Sequence, residues 1–120
     1  MKKLGVESIL RLGVNVGRPV VPVLPAGVDV SDGWTETEWR VGDRTCSTYF
    51  GGSWEGEPGH LFVDYTFDEF CWMTSGRVAL VDSDLNRREF VAGEAFFVPR
   101  GFAGTWLTLE PSSKHFVIIE

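Results

Sequence analysis

Histidine is scarce in this chain. His60 and His115 are the only two among 120 residues, which leaves little material for a histidine-built metal centre or a histidine-activated nucleophile. Cysteine is equally sparse. Cys46 and Cys71 stand in apolar, strand-like surroundings, where they read as small buried hydrophobes rather than a disulfide framework or a zinc knuckle, with a bridge between them left open. A catalytic thiol would want a basic or histidine neighbour to lower its pKa, and so few histidines disfavour one. Long apolar runs are missing too: none reaches the roughly 18 residues that a spanning helix needs. Met1-Lys2-Lys3 opens like a secretory leader, but Glu7 and Arg11 break any apolar stretch behind it. The chain therefore reads as soluble and cytoplasmic. Positive charge is in deficit, with 11 Lys and Arg against 17 Asp and Glu, a net charge of −6 and a pI near 4.9. The basic residues are scattered, so neither nucleic acid nor a membrane surface is an expected partner. There is no repeat of 20 to 50 residues, no heptad and no low-complexity tract.

What is present is enough for one core. A chain of this length with 43% hydrophobic residues has the size of a single domain. In its first 30 or so residues, short apolar runs alternate with Gly13, Gly17, Pro19, Pro22, Pro25 and Gly27, which disfavours a long helix and predicts an extended arm. A short helical turn fits Val6 to Leu12. Beyond the arm, runs rich in aromatic and β-branched residues predict strands at Thr45–Glu55, Leu61–Thr66, Glu69–Thr74, Arg77–Asp82, Arg87–Val91, Ala95–Val98, Gly104–Leu109 and Lys114–Ile119. Turn formers separate them, including Pro58-Gly59, Ser75-Gly76, Asp84-Leu85-Asn86, Ala92-Gly93 and Pro99-Arg100-Gly101. Short strands at such spacing imply an all-β sandwich or barrel. Residues 1–44 are expected to form the arm and first strands, and residues 45–120 the barrel core.

Two spacings then become specific. Glu69 is followed after six residues by Gly76, and Gly93 after five by Pro99, with Gly101 completing Pro-x-Gly. The ordered pair inside an all-β pattern resembles the second half of the first cupin motif and the first half of the second. Further residues sharpen the likeness: Gly52-Ser53-Trp54-Glu55-Gly56-Glu57-Pro58-Gly59, Tyr65, Glu69-Phe70-Cys71, Gly76-Arg77-Val78, Pro99-Arg100-Gly101-Phe102, Trp106 and Lys114-His115. Over residues 45 to 119 the chain resembles the small cupins related to the ureidoglycine aminohydrolase cupin domain. That resemblance implies a jelly-roll barrel, commonly paired into dimers, in a group where many members have no established activity.

The departures from the pattern bear on chemistry. In the wider superfamily a His-x-His pair precedes the motif glutamate, and a third His follows Pro-x-Gly. Those positions hold Val63, Tyr65 and Gly104 here, or Phe62 and Asp64 for the first two in the alternative register. Strand alternation places Leu61, Val63 and Tyr65 on one face and Asp64 and Thr66 on the other, so the first register suits a barrel interior. The same alternation puts Gly104, Trp106 and Thr108 together. No metal and no other cofactor is expected.

The expected pocket comprises Tyr65, Glu69, Cys71 and Trp106 with Lys114 at its rim, Glu69 serving as the candidate catalytic acid or base. Blander readings stand beside these. Glu69 could be a salt-bridged strand residue, Tyr65 and Trp106 plain core, and Lys114 a solvated strand-end charge. Phe70 and Trp72 fall on the face opposite Glu69 and Cys71, where large aromatics mark an interface, and with the arm they suggest a homodimer. Two functions follow from the pattern: a metal-independent pocket for an amine, ureido or amino-acid-like small molecule, or a non-catalytic structural or interaction dimer. A metal-dependent hydrolase of a ureidoglycine-like substrate ranks third. An open cavity beside Glu69 would favour the first, and a barrel plugged by Trp106 the second.

Overall fold

A computed structural model describes residues 3–42 and 48–120. The described residues form ten strands after a single 3-10 turn at Val6–Ser8, which is shorter than the helical turn expected from Val6 to Leu12. The strands are β1 (Arg18–Val20), β2 (Glu36–Val41), β3 (Tyr49–Gly56), β4 (Gly59–Asp64), β5 (Asp68–Ser75), β6 (Arg77–Val81), β7 (Arg87–Val91), β8 (Ala95–Val98), β9 (Ala103–Thr108) and β10 (Ser112–Ile119). They build a six-stranded sheet, β1-β2-β3-β10-β5-β8, and a four-stranded sheet, β4-β9-β6-β7, with every pairing antiparallel. The chain crosses between the sheets at short turns such as Ser75-Gly76, giving the jelly-roll architecture expected of the sequence. The start of the expected first strand, Thr45 to Ser47 with Cys46, lies outside the described residues.

Alternation along the strands decides what faces inward. On β10, Ser112, Lys114, Phe116 and Ile118 are buried while Ser113, His115 and Val117 are only partly so. On β5, Glu69, Cys71 and Met73 are buried and Trp72 is exposed. Trp54, Tyr65, Cys71, Met73, Val78, Phe96, Val98, Trp106, Phe116 and Ile118 make one contiguous core between the sheets. A fully buried side chain such as Phe116 is worth about 1.5–3 kcal/mol over its exposed state. Phe90 stacks on Phe96 at 3.9 Å and packs against this core.

Strand β2 lies within residues 1–44, where first strands were expected without assigned bounds, because Glu36, Glu38 and Arg40 break the apolar pattern on which strand prediction rests. Its antiparallel pairing with β3 overrides that local signal, setting Glu36 opposite Gly56 and Glu38 opposite Trp54. The arm is partly tied down: Val20 pairs with Glu38, and the amide of Phe62 donates to the Asp29 carbonyl at 2.8 Å. Its stretch from Pro22 to Val28 roofs the cavity described next.

Candidate functional site

Register on the six-stranded sheet assembles the site. Lys114 of β10 lies between Trp54 of β3 and Met73 of β5, and one step along, Phe116 lies opposite Cys71 and Ile118 opposite Glu69. All of these project into the barrel, so residues as far apart in sequence as Glu69 and Lys114 meet there. The Lys114 ammonium donates to Glu69 Oε2 at 3.0 Å and contacts Cys71 Sγ at 3.4 Å. Tyr65 donates its hydroxyl to the other oxygen, Glu69 Oε1, at 2.7 Å. The ammonium also sits over the Trp106 ring at 4.1 Å and the Trp54 ring at 5.2 Å from their centroids, an arrangement that attracts a cation to the ring faces. Trp106 in turn donates Nε1 to Thr108 Oγ1 at 3.2 Å.

The structure thus brings Tyr65, Glu69, Cys71, Trp106 and Lys114 together, with one correction. Lys114 is not at the rim: it is only 5% exposed and lies in the barrel interior. Its place at the start of the last expected strand suggested a solvated strand-end charge, but the sheet register, with an irregularity between Ser113 and Lys114, carries the side chain inward. A lysine so deeply placed needs a counter-charge, and Glu69, itself 6% exposed, supplies it.

Burial opposes the charge on Lys114, yet the neighbouring Cys71 and Glu69 outweigh it and hold the ammonium's pKa above the ordinary lysine value. Burial pushes the Cys71 thiol up to about 12 despite the nearby ammonium. Because the thiol stays neutral below that, the counter-charge at neutral pH is Glu69's. Burial, followed by the negative charge of Glu69, holds Tyr65 well above the usual phenol range, so its hydroxyl remains a donor.

Beside this cluster lies a cavity of about 610 Å³, walled by Trp34, Trp54, Leu61, Val63, Trp106 and Ile118 and roofed by the arm. Tyr65, Glu69 and Lys114 present to it, whereas Cys71, fully buried behind the ammonium, is not part of its wall. Trp106 forms a wall and leaves the cavity open. Two further acids line it that the sequence reading did not single out. Glu36 accepts the Trp54 indole N–H at 2.8 Å and the Trp34 indole N–H at 2.9 Å, one on each oxygen. Glu38 accepts from Arg40 Nε at 2.9 Å, and its burial raises its pKa in spite of that partner. The alternation Trp34-x-Glu36-x-Glu38 was the available signal, readable only once residues 36–41 are known to be a strand.

The donor set does not suit a metal ion. Val63 and Gly104, two of the positions where the superfamily pattern would place ligands, face each other across β4 and β9 and offer no donor. A side chain at Gly104 would run into the Val81 carbonyl oxygen, so the backbone itself excludes a larger residue there without a shift. The remaining carboxylate, Glu69, is already paired with an ammonium that would repel a cation. No group of three or more His, Cys, Asp or Glu gathers as a candidate metal site among the described residues. His60 and His115 lie elsewhere. His60 meets Asp29 at 3.0 Å, and His115 meets Ser53 at 2.9 Å on the sheet face opposite Lys114.

On the outer face of the large sheet, Phe70 packs at 5.2 Å against Phe97, which is 66% exposed, and Trp72 is 51% exposed. These are the outward aromatics expected from strand alternation, with Phe97 added by the pairing of β5 and β8.

The EutQ-like cupin domain matches residues 44–116. No curated protein matches. Among solved structures, a putative ethanolamine utilization protein Q from Salmonella typhimurium is 15% identical with a TM-score of 0.66, covering 87% of this chain and 97% of that one. The EutQ protein of Clostridium difficile is 13% identical with a TM-score of 0.68 over 74% of this chain, which spans 65% of that protein's length. A DUF861 family protein from Thermotoga maritima is 28% identical with a TM-score of 0.51, covering 53% of this chain and 73% of that one. The likeness to the first two is one of fold.

Proposed function

The chain belongs to the EutQ-like cupin family, and on that premise we propose that it is a metal-independent cupin that binds a small molecule in its barrel. The ligand is of the amine, ureido or amino-acid-like type and contacts Tyr65, Glu69, Trp106 and Lys114. The observation that carries this reading is the open cavity of about 610 Å³ beside the Glu69–Lys114 pair, with Trp106 on its wall rather than in its volume. Its size falls in the range typical of small-molecule sites, about 300–1,000 Å³, and its mixture of apolar walls and few convergent polar groups is typical of them too. Lys114 has three N–H donors and spends one on Glu69 and one on Cys71, which leaves one for a ligand oxygen. Glu69, fixed by Tyr65 and Lys114, is the candidate acid or base if the bound molecule reacts. Resemblance to the ureidoglycine-related cupins enters through ligand chemistry alone, since their metal-dependent hydrolysis needs ligands that Val63, Tyr65 and Gly104 do not provide.

Isothermal calorimetry of tag-free protein against small amines, ureides and amino-acid derivatives tests this directly. Saturable heat with one of these classes is expected. Absence of heat with every one of them overturns the reading and leaves the second, a self-associating structural cupin, which the exposed Trp72 and Phe97 favour. The two are compatible, and a homodimer formed through that face is part of the proposal.

A further inference from the structure

The charges around the cavity do not cancel. Glu36, Glu38, Asp64 and Glu69 line it, against Lys114 as the one positively charged lining side chain among the described residues. Lys114 neutralises Glu69 at 3.0 Å, and Arg40, outside the cavity, neutralises Glu38 at 2.9 Å. Asp64 is exposed, so bulk water screens its charge. Glu36 is different: it is half-buried, and among the described residues it forms no ion pair.

Its carboxylate is nevertheless held in place. The indoles of Trp34 and Trp54 each donate to a different oxygen, at 2.9 and 2.8 Å. Neutral N–H donors orient a carboxylate without cancelling its charge, and a carboxylate has about four acceptor positions, so two remain. Gly56, directly opposite Glu36 on β3, makes this arrangement possible. A Cβ at position 56 would press to 2.5 Å on the Trp54 ring, so a larger residue there would have to displace the ring from its place beside Glu36.

A fixed, unpaired carboxylate on the wall of a largely apolar cavity is a receptor for a cation. We propose that Glu36 is the residue that selects the ligand, and that the ligand class is a small aliphatic ammonium compound rather than a neutral ureide or amide. This rests on the cavity being a small-molecule site, and assigns the charge recognition to Glu36 because Glu69 is already satisfied from within the protein. The Trp54 and Trp106 faces likewise already hold the Lys114 ammonium. The carboxylate therefore carries the selection, and the aromatic faces do not.

The test uses n-butylammonium, with n-butanol and n-propylurea as neutral probes of similar size, followed by calorimetry and tryptophan fluorescence. The wild-type chain is expected to bind n-butylammonium at least about tenfold more tightly than either neutral probe. Glu36→Gln, which keeps an acceptor for one indole, is expected to lose about tenfold for the ammonium and to change the neutral probes less than about twofold. Equal wild-type affinity for charged and neutral probes overturns the proposal, and this measurement needs no variant to fold. An ammonium affinity unchanged in Glu36→Gln overturns it too, while leaving the cavity as a small-molecule site. Failure of all three probes to bind the wild type removes the ammonium proposal at its base, and the broader reading then stands or falls on ureides and amino-acid derivatives.

Discussion

Removing one member of the Lys114–Glu69 pair should be costly, and removing both should be cheaper than the sum. Lys114→Met keeps the length of the side chain but strands a carboxylate that is 6% exposed, with only the Tyr65 hydroxyl bond remaining. Breaking a buried pair from one side costs about 3–5 kcal/mol. The lost contact of the ammonium with the Trp106 face, 4.1 Å away, belongs to the same loss. For a domain of this size, about 4 °C per kcal/mol, the melting temperature should fall by about 12–20 °C. Glu69→Gln is nearly isosteric and looks benign from the sequence, yet it strands the ammonium and should cost a similar amount. In the double variant no charge remains, the new amide oxygen can still accept from the Tyr65 hydroxyl, and the loss should be no larger than for either single change.

Urea unfolding followed by tryptophan fluorescence measures all three. The pH dependence adds a sign. Lys114's folded pKa lies above its unfolded value, so its contribution is whole below about pH 10.4 and is lost as pH rises through the folded pKa. In Glu69→Gln the carboxylate that helps to offset the burial cost is gone, so the folded pKa of Lys114 should drop, and the loss of stability at alkaline pH should be smaller than in the wild type. Single-variant losses that add to within about 0.5 kcal/mol in the double variant would refute a coupled buried pair.

Three further outcomes are expected. Elemental analysis of tag-free protein should find well under one transition metal per chain, and a full equivalent that chelation removes together with thermal stability would return the metal-dependent enzyme to consideration. Light scattering at micromolar concentration should give twice the 13.4 kDa chain mass, and Trp72→Glu with Phe97→Glu should shift it to the monomer without loss of far-ultraviolet dichroism; a wild-type monomer would sink the homodimer. In a Cys46→Ser background, Cys71, whose thiol is pushed up to about 12 by burial, should resist thiol reagents at neutral pH until the chain unfolds, and fast labelling of the native protein would contradict its placement.

The barrel was legible in the sequence because its signals are local. Period-two alternation and turn residues placed most strands correctly, and parity, together with the cupin motif spacing, put Tyr65, Glu69, Cys71 and Trp106 on inward faces. The absent histidines at positions 63, 65 and 104 were equally plain. What pairing does to a strand is not local. Glu36 and Glu38 obscured β2, and only its pairing with β3 shows that these acids line a cavity. Lys114 carried no mark of burial, since a lysine beside a turn is ordinarily solvated. Its place at the centre depends on β10 lying between β3 and β5, a register set by contacts across tens of residues. Local alternation was enough to restrict which side chains could face inward. Pairing between strands set which of those charges meet and cancel, and left the half-buried Glu36 without an ion pair among the described residues, because Coulomb energies depend on distances that chain position does not specify.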